Sequence, residues 1–155
     1  MKMDVNVLNC FVDSTKEVFS QFGITDINRK SIELKSKIES KYPVTIVVGL
    51  TGDLSGNITY NLKLETAKGL ASKMMMGMPV DELDDMAKSA LSEISNMMAG
   101  TSSAKLEGLK KNTDISPPTL IIGEEIMLWI SQVETIAILL DTSIGEIELN
   151  IGLEV

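Results

Sequence analysis

The sequence predicts an α+β domain in which a helix followed by strands occurs twice, with two long helices packed on a largely antiparallel sheet. Three observations carry this expectation. Residues 4–22 and 81–99 repeat their apolar side chains at helical spacing. Short β-branched or alternating runs, bounded by Gly, Pro, Asn and Asp, occupy much of the remaining chain and read as strands and hairpins. The two helices also carry similar patterns of polar residues, each followed at nearly the same distance by a proline.

Composition agrees. The chain has 155 residues, within the roughly 100–200 of one domain. No low-complexity linker divides it, so 1–155 reads as a single domain. Apolar residues make up 44% and aromatic residues 4%, which calls for an aliphatic core with the 10 Met as filler. There is no histidine. That excludes Ser–His–Asp and Cys–His catalysis, His zinc sites and histidine phosphoacceptors. Cys10, the single cysteine, cannot form an internal disulfide or a multi-cysteine metal cluster, which suits a reducing compartment. A net charge of −8 argues against nucleic acid or an anionic membrane as the main partner. No apolar run approaches the roughly 18 residues of a membrane span. The opening MKMDVNVLNC carries Asp and Asn too early for a signal peptide. A soluble, cytoplasmic protein is expected.

Taken in order, residues 4–22 form an amphipathic helix with Val5, Leu8, Val12, Phe19 and Phe22 on one face, ended by Gly23. Asp13, Glu17 and Ser20 fall on the opposite face. Residues 30–39 alternate weakly and suit an edge strand. From Pro43, the run Val44–Leu50, a turn cluster from Thr51 to Asn57, and the alternating Ile58–Leu64 read as a hairpin. Residues 66–76 look helical, with Gly77 and Pro79 as breakers. The second long helix runs from about Asp81 to Ala99. Asp81, Glu82, Asp84 and Asp85 crowd its first turn, where they favour the positive end of the dipole, and Gly100 stands just past its end. Residues 101–111 hold a further helical piece. After Pro117 and Pro118 come strand-like Thr119–Ile122 and Met127–Ser131, then strands over 133–140 and 146–155 around a Thr-Ser-Ile-Gly turn. Residues Met74 to Met78 read as core filler between helices or as an adaptable contact surface, Trp129 as a core or interface anchor, and Cys10 as a structural thiol.

On the helix from 81 to 99, Leu83, Met86, Ala87, Ala90, Leu91, Ile94, Met97 and Met98 cover an apolar arc of about 140° at about 100° per residue. Ser89, Glu93 and Asn96 lie off that arc, within about 60° of one another. Their i, i+4, i+7 spacing forms one row, so a Glu and an Asn one turn apart can act on one small target. On geometry alone these are also ordinary residues of a solvated helix face. Asn is nevertheless a poor interior helix former, because its side chain competes for backbone groups.

The longer pattern gives the row a meaning. Ser89-x3-Glu93-x2-Asn96 is followed, after the 21 residues 97–117, by Pro118. This resembles the signature of the CheC/CheX family of chemotaxis phosphatases, Asp or Ser, x3, Glu, x2, Asn, then a spaced Pro. The small and Met residues after Asn96, then Gly100, are also typical of the family. The resemblance extends over essentially the whole chain and implies a CheC-like duplicated fold. The first helix carries Asp13-x3-Glu17-x2-Ser20, then Pro43 after the 22 residues 21–42. The two copies are offset by 76 positions (13 to 89). At that offset Val44–Leu50 matches Thr119–Ile122, and Ile58–Leu64 matches 134–140, so a pseudo-two-fold domain is expected. Asn occurs in the second copy alone, which resembles the single-site, CheX type.

The resemblance implies a phosphatase for the aspartyl phosphate of a CheY-like response regulator, in chemotaxis or a related two-component pathway. It implies catalysis by orienting an attacking water, with Asn96 holding the water and Glu93 pairing with a lysine of the regulator. Ser89 would permit close approach of the partner or make one hydrogen bond. No cofactor is expected on this chain, the Mg²⁺ being the regulator's. A homodimer through β-sheet contacts is also implied. The alternative is a non-catalytic adaptor of the same fold that binds a regulator or a flagellar switch component. A coincidental motif in an unrelated α+β subunit would show Glu93 and Asn96 buried or pointing apart.

Overall fold

A computed structural model describes residues 4–125 and 127–154. The chain opens with α1 (Val5–Ser20), then β1 (Asn28–Lys35) and β2 (Ile38–Ser40). A hairpin follows, β3 (Val44–Gly52) and β4 (Ser55–Leu62), then α2 (Leu64–Met74) and α3 (Asp85–Gly108). The remainder is β5 (Thr113–Ile115), β6 (Thr119–Ile122), β7 (Leu128–Ser131), β8 (Thr135–Thr142) and β9 (Gly145–Glu154). The expected strand over 146–155 is therefore β9, with Val155 outside the described residues.

Seven strands make one antiparallel sheet in the order β1-β8-β9-β4-β3, with β5 and β6 pairing successive parts of β3 at the far side. Strand alternation decides its two faces. Val44, Ile46, Val48 and Leu50 of β3, with Ile58, Tyr60 and Leu62 of β4 and Ile147, Leu149 and Ile151 of β9, join one core with the helices. From the helices, Val7, Phe11, Val18, Leu70, Leu91, Ile94 and Met98 complete it. The opposite face is buried too, but polar: Thr45, Thr59, Asn61 and Asn150 have almost no exposure. A two-stranded ribbon, β2 with β7, forms a separate sheet. Its Ile38 presses on β9, where a Cβ added to Gly152 would lie 2.9 Å from Ile38 Cδ1. Glu148 accepts the amide groups of Asn61 (3.1 Å) and Asn150 (2.9 Å), which offsets part of the cost of burying them.

Several expectations change. The second long helix starts at Asp85, because Asp84 caps it by accepting the Ala87 N–H at 2.9 Å. Asp81 and Glu82 lie before it. The helix passes through Gly100 and ends at Gly108, taking in the piece expected separately at 101–111. An exposed interior Gly costs a helix about 1 kcal/mol. Burial of Ala99, Ser102 and Leu106 on the other side outweighs that. The true stop is a left-handed turn at Lys110 (φ 61°), closed by Lys111 N–H to Leu106 C=O (3.0 Å) and Lys110 N–H to Glu107 C=O (2.8 Å).

On α1 the buried face is centred on Val7, Phe11, Ser14, Thr15 and Val18, and Val5 is 65% exposed. The helix packs against α3 as well as the sheet, so its buried arc is wider than the apolar periodicity suggests. Ser14 and Thr15 enter that arc by donating their hydroxyls to the carbonyls of Cys10 and Phe11. Met74 packs against the core as expected, but Met76 (97% exposed) and Met78 are surface residues, not core filler, because the chain turns outward at Met76 and Gly77. Trp129 is 75% exposed, so it is no core anchor; it alternates outward on the ribbon, its indole N–H on Met127 Sδ. Cys10 is buried, and burial pushes its thiol pKa up, partly countered by Lys105.

The offset of 76 does not extend to the strands. Val44–Gly52 is a nine-residue strand inside the sheet, whereas Thr119–Ile122 is a four-residue strand paired to it. Likewise β4 lies between β3 and β9, while β8 lies between β9 and β1.

Candidate functional site

The candidate row is positioned by α3. Ala87, Leu91, Ile94, Ser95, Met98, Ala99, Ser102 and Leu106 are buried, so the helix has one committed side and one free side. Ser89, Glu93 and Asn96 all lie on the free side and are exposed. Met86, expected in the apolar arc, is exposed on that side too, seven residues before Glu93. Among the described residues, neither the Glu93 carboxylate nor the Asn96 amide meets a hydrogen-bond or ion-pair partner. Both are therefore available to something outside the chain.

Asn96 stands at the head of an open groove of about 390 Å³. One wall is α3 itself, with Asn96, Ala99, Gly100 and Ser103. The other runs from Thr113 to Pro118. That second wall is fixed by the sheet. Leu50 pairs with Ile115. Ser116 N–H then donates to Gly49 C=O (2.9 Å), and its hydroxyl accepts Gly49 N–H at 2.8 Å. Pro117 and Pro118 lack N–H donors and have fixed φ, so the ladder cannot continue until β6. The motif Asn and the spaced Pro, 22 positions apart in sequence (96 to 118), thus line one groove. Ser89 and Glu93 are not among its lining residues; they lie further toward the start of α3. Gly100, placed in the family pattern and read as a helix end, lines the groove, as do Ser103 and Ser116, which sequence reasoning missed. The helical spacing of 96, 100 and 103 signals Gly100 and Ser103, whereas Ser116 lies outside the helix and left no such signal.

The first-helix copy is arranged differently. Asp13, Glu17 and Ser20 are exposed on α1, as expected. Ser20 donates its hydroxyl back to the Glu17 carbonyl at 2.7 Å. The Glu17 carboxylate is held by Lys105 of α3 at 2.9 Å, and that bond raises the Lys105 pKa. Asp13 borders a separate groove of about 420 Å³ between α1 and the sheet edge, with Val12, Lys16, Arg29 and Ile32. Glu17 and Ser20 are thus engaged inside the chain, where their counterparts Glu93 and Asn96 are not.

Among the described residues, no three or more Cys, Asp or Glu side chains gather as metal ligands would. Nor is any helix long and apolar enough to cross a membrane.

Residues 44–141 match the family model described as chemotaxis phosphatase CheX. The chain belongs to the CheX family. The matched span holds α3 and both prolines of the groove, but not α1. The chain is 36% identical over 127 residues to the CheY-P phosphatase CheX of Thermotoga maritima, covering 81% of each. The crystal structure of CheX from Desulfovibrio desulfuricans is similar at a TM-score of 0.85 and 26% identity, covering 97% of this chain and 100% of that one. The CheX of Borrelia burgdorferi, solved with CheY, BeF3 and Mg²⁺, is similar at a TM-score of 0.80 and 27% identity, covering 99% and 100%. Helices packed on an antiparallel sheet are thus the CheX and CheC-like architecture.

Proposed function

We propose that the chain is a phosphatase that removes the aspartyl phosphate of a CheY-like response regulator, and that the free face of α3 performs the reaction. One observation carries this most: Glu93 and Asn96 form an exposed, unengaged row beside the Pro118 groove, in a chain of the CheX family. An adaptor needs a surface but has no use for that pair kept free.

An aspartyl phosphate is an acyl phosphate and already labile. The regulator's own Mg²⁺ neutralises phosphate charge. What remains is to place a water in line with phosphorus, which is catalysis by positioning. The Asn96 carbonyl oxygen accepts a proton of that water in a hydrogen bond, and its NH₂ donates to the water or to a phosphoryl oxygen. An uncharged amide avoids repelling the phosphoryl oxygens. Glu93, one turn earlier, pairs with a lysine beside the phosphorylated aspartate and fixes Asn96 over the phosphate. Ser89, small and exposed, lets the partner lie close.

Adding the chain at a small fraction of the regulator's concentration is expected to accelerate phosphate loss over many turnovers. Binding without acceleration would move the assignment to the adaptor.

Two finer readings belong with this one. The strand order supports a duplicated domain, but with β3 matched to β8 (44 to 135, 91 positions) and β4 to β9 (55 to 145, 90 positions). The first strand of each half then pairs with the other half: β1 with β8, β5 and β6 with β3. The second reading is a homodimer formed at the β1 edge. β1 pairs with β8 alone among the described strands, and Ile32 (46%) and Leu34 (63%) are exposed along it. Sedimentation at micromolar concentration is expected to give twice the chain mass, and a monomer mass would remove this reading.

A further inference from the structure

Three glycines lie within the helices α2 and α3, and two are accounted for by the fold. On α2, a Cβ added to Gly69 would meet Ile144 Cβ at 3.3 Å, so packing explains it. Gly108 is the last residue of α3, where the chain leaves the helix. Gly100 has neither reason. It sits inside α3, is exposed, and a Cβ built on it would meet nothing within 4 Å. Its φ is not in the left-handed region that would require glycine. The fold would be better served there by almost any helix-forming residue.

What Gly100 does have is a place. It is four residues after Asn96 and seven after Glu93, on the same side of α3, and it lines the Asn96 groove opposite Pro117 and Pro118. Side chains on a helix lean toward its N-terminus and cover the turn before their own Cα. Any side chain at position 100 would therefore lean over the turn that carries Asn96.

We propose that Gly100 is a clearance position, kept bare so that the phosphorylated loop of the partner can lie against α3 and bring its phosphoryl group to the Asn96 amide. This rests on the phosphatase reading above and extends it to a residue with no reactive group. Gly100 touches no reacting atom; it acts by leaving space, so it is a positioning residue.

The test separates space from stability. Wild type, Gly100→Ala, Gly100→Leu and Gly108→Ala are compared for thermal midpoint and for kcat and KM on a phosphorylated CheY-type regulator. Gly100→Ala should melt about 2–4 °C higher, as expected for a better helix former in a chain of this size, yet lose roughly fivefold in kcat/KM. Gly100→Leu should lose about 100-fold, the scale of a displacement near 1 Å, chiefly as a raised KM. Gly108→Ala should match wild type in turnover. Full activity in a Gly100→Leu chain that melts no earlier than wild type overturns the proposal. If that variant melts early, Gly100→Ala decides, and full activity there overturns it equally. An equal loss in Gly108→Ala also overturns it, since a general helix effect would then suffice. Wild type that fails to accelerate phosphate loss at all would instead sink the phosphatase reading, and this proposal with it.

Discussion

Asn96→Ala is expected to slow dephosphorylation by about 10²–10³-fold, the range for losing one group that orients or stabilises a reacting species. The loss should fall almost wholly on kcat. Asn96 is exposed and its side chain has no partner among the described residues, so its truncation leaves the contact surface and the fold in place. Ala is the better helix former by up to roughly 0.7 kcal/mol. The variant should therefore melt no earlier than wild type while turning over far more slowly. That combination distinguishes a lost water-holding amide from a damaged helix. Asn96→Asp makes the cause sharper. It keeps the size and carbonyl-type oxygen of the side chain but adds a negative charge facing the phosphoryl oxygens. Two like charges 4 Å apart at a partly desolvated surface repel by roughly 4 kcal/mol. This variant should do no better than Ala in kcat and worse in KM. Wild-type turnover by either variant would mean that the water is held elsewhere.

The second large effect is expected from Glu93→Lys. A carboxylate that pairs with a partner lysine in a closed interface contributes to binding, and reversing it opposes two ammonium groups. Loss of a desolvated charge partner costs about 2–5 kcal/mol, so KM should rise by about 100-fold or more. Because Glu93 is exposed on the free chain, folding stability should change by less than about 0.5 kcal/mol. A regulator whose active-site lysine is replaced by Glu should bind Glu93→Lys better than it binds wild type. A Glu93→Lys chain with unchanged KM would leave Glu93 as a solvated surface residue.

The candidate row was legible in the sequence because it depends on one quantity, the 3.6-residue period, which α3 obeys. Ser89, Glu93 and Asn96 fall on its free side as the spacing requires. The groove was less legible. It needs β5, a three-residue strand too short to leave an alternating pattern, to bring Pro117 and Pro118 alongside Asn96. The helix end was misjudged for a definite reason. Gly100 is the residue that usually stops a helix, yet the stop is Lys110, a non-glycine in the left-handed region. Local propensity favoured the wrong one, and buried Ser102 and Leu106 decided. Met86 and Trp129 show the converse limit. Both are apolar and both are exposed, and periodicity alone cannot tell a core residue from a surface one that awaits a partner.

The engaged state of the first copy bears on single-site action. Glu17 is committed to Lys105 and the Ser20 hydroxyl to its own helix, so the first motif offers neither a free Glu carboxylate nor, with Ser in place of Asn, an amide. Of the two motifs, the one on α3 has both. The most direct measurement is phosphate loss from a phosphorylated CheY-type regulator with Mg²⁺ present, followed side by side with no added chain, wild type, Ser20→Ala and Asn96→Ala. Wild type and Ser20→Ala are expected to accelerate it equally, and Asn96→Ala to leave it close to the spontaneous rate. Acceleration that survives in Asn96→Ala, or disappears in Ser20→Ala, would contradict the assignment of the reaction to the free face of α3.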